Sequence, residues 1–209
     1  MATATLTASS YYLSSEKLAM TNPDNMYTPV SSTTYATLTN TDASTSYYYA
    51  YIRGFNISDI PANAVVSSFT VKLRGRASGG YNSALYLCHG TSTIANATAT
   101  QLPNSSSAAT RTFANGALTW ADIVGYGDTF GIRINCRRNA KNTQSYYYIY
   151  GAEIDVTYEV PVQTEKLYFR DGDVWTEASK AYKKVNGLWV EQDDLTMVFD
   201  GSKNYVRGN

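Results

Sequence analysis

Residues 55–76 read FNISDIPANAVVSSFTVKLRGR, and this stretch decides the fold class. In its second half Phe69, Val71 and Leu73 alternate with Thr70, Lys72 and Arg74. A period of two places apolar side chains on one face and polar ones on the other, the pattern of a half-buried antiparallel strand. Ile60-Pro61-Ala62-Asn63-Ala64 reads as the turn that feeds this strand, with Pro61 fixing φ where a missing N–H costs nothing.

Working outward, similar runs predict strands at 3–7, 33–39, 47–55, 84–88, 108–113, 130–135, 146–150 and 151–160. The last is the clearest, with Ile154, Val156, Tyr158 and Val160 alternating against Glu153, Asp155, Thr157 and Glu159. Many short strands separated by Gly, Asn, Pro and Ser predict an all-β chain, an antiparallel β-sandwich of jelly-roll-like form. A helical turn is expected only at 119–124, TWADIV, with Thr119 as its N-cap.

Composition agrees and narrows the partners. The chain holds 209 residues, enough for one large β-domain and a small appendix, and 19 are tyrosine, a good strand former. Seventeen basic and 17 acidic residues leave no net charge, which gives no electrostatic case for nucleic acid or an anionic membrane. No run reaches the roughly 18 apolar residues that span a bilayer. The start, MATATLTASSYYLSSEK, has neither a basic nor an apolar export region, so no signal peptide and a reducing compartment are expected. Cys136 is in phase with Ile132 and Ile134, whereas Cys88 is out of phase with Leu85 and Leu87, which favours two free thiols over a disulfide.

Enzyme chemistry finds no foothold. The one histidine, His89, adjoins Cys88, and neighbours on a strand point to opposite faces, so they form no dyad. One His and two separated Cys fall short of a zinc site, and the glycines match no nucleotide fingerprint. Glu153 and Asp155 read as a solvent face and Asp193-Asp194 as a turn. A non-enzymatic chain without a cofactor is expected.

Three motifs in order carry a family resemblance: Gly54-Phe55 with Ile57-Ser58, Ile60-Pro61 and Ala64; LTWADIVGYGDTFGIRINC at 118–136; and the closing IYGAEIDVTYEV at 149–160. Over residues 30–160 this resembles a β-sandwich module of phage and prophage virion proteins, found in tail, baseplate, fibre and capsid-surface components. The resemblance implies a virion location, other virion proteins as partners and a multi-copy or homo-oligomeric state, with no shared catalytic motif. In outline it is also similar to carbohydrate-binding sandwiches, which leaves a host cell-wall glycan as the alternative partner. Trp120 reads as closing one end of the sandwich with Ile123 and Phe130, against a second reading as a sugar platform.

Two tyrosine runs, 47–51 (YYYAY) and 146–150 (YYYIY), must place alternate rings outside the core. Outward Tyr47, Tyr49, Tyr51, Tyr146 and Tyr148 on neighbouring strands would form one aromatic contact surface, while the plainer reading is a strand former in both layers. The sandwich is expected to occupy 1–160. Beyond Pro161 a faint repeat sets Asp171-Gly172 before Val174-Trp175, Asn186-Gly187 before Leu188-Trp189, and Asp200-Gly201 before Tyr205-Val206. Each unit reads as a hairpin, so 161–209 is expected to be a β-hairpin meander for docking or oligomerisation, with Trp175 and Trp189 as contacts. A cap folded onto its own sandwich is the alternative. Similar tails with a YKKVNG-x-WVEQ run occur on phage structural proteins.

Overall fold

The computed structural model describes residues 1–42, 46–78, 80–81, 83–138 and 144–161, and beyond these the strand residues 168–171, 174–177, 182–185, 188–191, 195–199 and 204–208. The chain divides into two compact units, Met1–Pro161 and Val162–Asn209.

Among the described residues the first unit holds two six-stranded antiparallel sheets. The chain passes repeatedly between them. β1 (Ala2–Thr7) lies in sheet one and β2 (Ser10–Leu13) in sheet two. β3 (Leu18–Thr21) and β4 (Ala36–Asn40) return to sheet one, and β5 (Tyr48–Arg53) crosses to sheet two. β6 (Val65–Ser78) belongs to sheet one; β7 (Gly80–Tyr81), β8 (Leu85–His89) and β9 (Ser92–Ala99) belong to sheet two. β10 (Ala109–Thr112) rejoins sheet one. The helix α1 (Trp120–Tyr126) then leads to β11 (Phe130–Arg138) in sheet two and β12 (Ser145–Glu159) in sheet one. Sheet one has the order β10-β6-β12-β4-β3 with β1 also on β12, and sheet two the order β2-β5-β11-β8-β9 with β7 also on β11. The all-β sandwich expected from the sequence is what forms.

The alternation in the opening stretch works as expected: Val71 and Leu73 are fully buried, and so are Ile132, Ile134, Ile154 and Val156 from the other long strands. Each large side chain taken out of water in this way contributes about 1.5–3 kcal/mol. Three hydrogen bonds from two side chains tie the sheets together across this apolar core. The Tyr147 hydroxyl, on β12, accepts from the Arg137 N–H and donates to the Arg137 carbonyl on β11, both at 2.9 Å. Asn40 Nδ2 on β4 donates to the Cys136 carbonyl at 3.3 Å.

Runs 146–150 and 151–160, read as two strands, are one strand bent by a register shift between Ile149 and Gly151. At this point β12 exchanges partners along one edge, from β4 at Ser145–Ile149 to β1 from Glu153 to Tyr158. The loop at 28–30 crosses there, held by Thr28 Oγ1 donating to the Tyr150 carbonyl at 3.1 Å and by the Val30 N–H donating to Glu153 at 2.9 Å. That loop overturns the reading of Glu153 as a solvent residue: it is 5% exposed and pairs with Lys72 at 3.5 Å. Asp155, in the same phase, does stay partly exposed and also pairs with Lys72.

The second unit contains β13 (Tyr168–Asp171) with β14 (Val174–Glu177), β15 (Tyr182–Val185) with β16 (Leu188–Glu191), and β17 (Leu195–Phe199) with β18 (Asn204–Gly208). Each pair is a separate two-stranded antiparallel sheet. Asp193-Asp194, Asn186-Gly187 and Asp200-Gly201 lie outside the described residues.

A Cβ at Gly151 would lie 2.5 Å from the Thr28 carbonyl oxygen and 2.6 Å from that of Pro29. Gly151→Ala should therefore lower stability by about 1–3 kcal/mol, read as a reduced urea midpoint. Gly125→Ala, in α1 with nothing within 4 Å of the added carbon, should instead raise stability by up to about 1 kcal/mol.

Candidate contact faces

The outward positions of sheet two form rows across the strands. One row is Tyr12–Tyr51–Arg133–Tyr86, one residue from each of four adjacent strands. Above and below it lie Arg53 beside Gly131, and Tyr49 beside Asn135. The arginines settle over the rings. Arg53 lies 5.5 Å from the Tyr12 centroid and 4.7 Å from that of Tyr51. Arg133 lies 4.7 Å from Tyr49 and 4.8 Å from Tyr86, and Arg137 lies 4.8 Å from Tyr47. A guanidinium flat on a phenol ring gains cation–π attraction, about 0.5–2 kcal/mol depending on desolvation.

Sheet one carries a smaller version. Arg76 lies 3.7 Å from the Tyr148 centroid and Arg74 5.1 Å from Tyr150, with Tyr35 packed against both rings at 5.1 Å. Tyr146 stacks on Tyr148 at 6.4 Å. Here Arg74 donates to the Val30 and Ser32 carbonyls and Lys72 is held by Glu153 and Asp155, while Arg76 reaches the Ser105 carbonyl at 3.5 Å with its Nε unpartnered.

The tyrosines named from the sequence therefore do not make one surface. Tyr47, Tyr49 and Tyr51 belong to β5 or its approach in sheet two, whereas Tyr146 and Tyr148 belong to β12 in sheet one. Their phase is as read, since Ala50, Ile52, Tyr147 and Ile149 fill the core. Tyr51, however, is only 3% exposed beneath its neighbours, and so it supports the face without presenting itself. Burial raises its phenol pKa, an effect that the Arg133 and Arg53 charges only partly offset. Tyr47 and Tyr12 are the exposed members at 39% and 49%. Trp175 and Trp189 sit on β14 and β16, opposite Arg170 and Lys184, and their side chains lie outside the described residues.

Sequence reading missed Arg53 and Arg133, although the signal was present. Arg133 is out of phase with Ile132 and Ile134, and so had to stand on the same outward layer as the tyrosines. Cys88 shares that layer opposite Gly131, buried beside the Arg53 and Arg133 charges, while Cys136 faces the core; both are free thiols. His89 is exposed and stacks on Tyr126 at 4.4 Å. Trp120 follows the Thr119 N-cap, whose hydroxyl accepts from the Asp122 N–H, and packs 5.9 Å from Phe69. It walls an apolar groove of about 510 Å³ with Ile57, Ile60, Pro61 and Val124, and a polar one of about 280 Å³ with Ser68 and Asn115. No family model, curated protein or solved structure matches the chain.

Burial pushes the Cys88 thiol up to about 11 and raises Cys136 further, so at pH 8 almost none of either is thiolate. Folded protein should react with a disulfide reagent about a hundredfold or more slowly than protein unfolded in guanidinium. Rapid labelling of Cys88 in the fold would contradict its burial.

Burial alone would raise the Asp155 carboxyl, but hydrogen bonds from Lys72 and Thr5, with the Lys72 charge, hold it below its ordinary value. Its contribution is then complete above the unfolded carboxylate pKa and is lost as pH falls through the depressed value. Lys72→Met should shift the Asp155 titration upward when followed by carboxyl NMR.

Proposed function

We propose that the chain is a non-enzymatic structural protein of a bacteriophage particle, displayed on its surface and acting through contacts with other particle proteins. The observation that carries this reading is the second unit. Its three hairpins are separate two-stranded sheets that pair with no other strand among the described residues. A lone two-stranded hairpin is marginal in water, because its open edges and small faces bury too little surface. Leu188, 73% exposed, shows one such face open. Partners that complete these faces would give the unit its stability, which suits attachment in a multi-copy assembly. The motif resemblance of the first unit supports the same class of protein, with the sandwich as the displayed body.

A second reading, recognition of a host cell-wall glycan, draws on exposed Tyr12 and Tyr47. Aromatic rings stack on sugars when a ring face is open. Here guanidinium groups already occupy faces of these rings, which places protein contact ahead of sugar contact.

Cryo-EM and mass spectrometry of intact particles test the proposal. Repeated copies of the sandwich at the particle surface, joined to the head or tail through the hairpin strands, are the expected result. Absence of the chain from purified particles sinks it. Glycan-array binding competed by free sugar would move the second reading to the front.

A further inference from the structure

We infer that the outer face of sheet two is a docking surface for a carboxylate-bearing protein surface. This rests on reading the chain as a protein-contact element and names the face and the chemistry of its partner.

Charge is divided unequally between the sheets. The strands β2, β5, β8, β9 and β11 set three arginines, Arg53, Arg133 and Arg137, in the outward phase and hold no aspartate or glutamate at any position. In sheet one the acids Glu153, Asp155 and Glu159 stand on β12 and Lys72, Arg74 and Arg76 on the paired β6, with Lys72 directly opposite Glu153. The chain as a whole is neutral, so this positive face is a local segregation. The ion pairs among the described residues join Met1 to Glu159, Lys17 to Glu16, and Lys72 to Glu153 and Asp155; neither Arg53 nor Arg133 enters one. Arg53 donates to the Gly90 carbonyl, and its Nε, like that of Arg133, is shut off from water without a hydrogen-bond partner. These two cations are thus held by ring faces and partly desolvated, and among the described residues no acid pairs with either.

Such a guanidinium is pre-organised. Stacking fixes its plane, so a carboxylate arriving at its free edge meets a fork already oriented, and less side-chain entropy is lost on binding. Tyrosine and arginine are also the residues that protein interfaces enrich. The same stacking argues against the other polyanions. The five rings described on the face, Tyr12, Tyr47, Tyr49, Tyr51 and Tyr86, each have a guanidinium within 5.5 Å of the centroid. Pyranose rings and unstacked bases both need open aromatic faces. A carboxylate needs only the N–H edge.

The test uses the full chain labelled with nitrogen-15 and a blocked peptide of alternating Glu and Ser, read by amide and arginine side-chain NMR. At about 20 mM salt the peptide should shift signals of β5, β8 and β11 and the Arg133 side chain, with the effect largely lost at about 200 mM as the Debye length shrinks. Arg53→Gln/Arg133→Gln should weaken binding about tenfold or more, while Arg76→Gln on the other face leaves it within about twofold. If the double variant does not fold, the shift map on the unaltered chain still decides. No binding at low salt, or shifts centred on β6 and β12, overturns the inference. So does tighter binding at the same face by oligogalacturonate or oligothymidylate of equal charge, which would make the occupant an acidic glycan or a single strand. A chain found in particles whose face ignores the peptide would end this inference and leave the particle assignment standing.

Discussion

Because β6 and β12 pair from Tyr146↔Ser78 to Glu159↔Val65, the inner faces of both strands are fixed over the full height of the sandwich. Leu73 and Ile154 cannot leave the core without turning Lys72 and Asp155 into it, since a one-residue slip exchanges every side chain between faces. Register shifts at Gly151 and between Thr157 and Tyr158 are the departures, and the first has a use. It lets one strand serve β4 along its first part and β1 along its second, while the 28–30 loop passes over the glycine. Burial of Glu153 follows from that crossing. A carboxylate shut from water needs partners, and the Val30 N–H and Lys72 supply them.

The same alternation explains the aromatic faces. A strand that contributes Tyr147 to the core must present Tyr146 and Tyr148 on the other side, and an exposed ring is a poor thing to leave bare in water. Arginine solves this locally, since its flat guanidinium covers a ring and gains cation–π attraction there. Tyr147, by contrast, had to find a polar partner inside. Its hydroxyl takes both main-chain groups of Arg137, one residue beyond the inward Cys136 on the opposite sheet, and so fixes how far apart the sheets stand at that end.

Much of this was legible wherever a strand has one wet and one dry face. The phases of β6, β11 and β12 follow from alternation alone, and Thr119-x-x-Asp122 marks the helix start. The missed strands are those without such contrast. β2 (SYYL) and β9 (STIANATA) are sheet edges, and β3 is a four-residue edge; little of their surface is buried, so composition leaves no trace there. Long-range cover was equally invisible. Nothing near Glu153 says that residues 28–30 will lie over it, and nothing in two similar tyrosine runs says that they join opposite sheets. Local pattern sets the face of a residue; topology sets its neighbours.

Segregating arginine from acid within a neutral chain has an energetic consequence. Acids placed among the sheet-two tyrosines would have paired with Arg53 and Arg133 and stabilised the free chain by no more than about 1 kcal/mol each, the usual worth of an exposed ion pair. They would also have satisfied those cations, and an incoming carboxylate would have had to displace them. Keeping the acids on β12 leaves Arg53 and Arg133 with rings for support and no ion pair among the described residues. The fold gives up a small internal gain on one side of the sandwich, and that side keeps its capacity for charge-assisted contact.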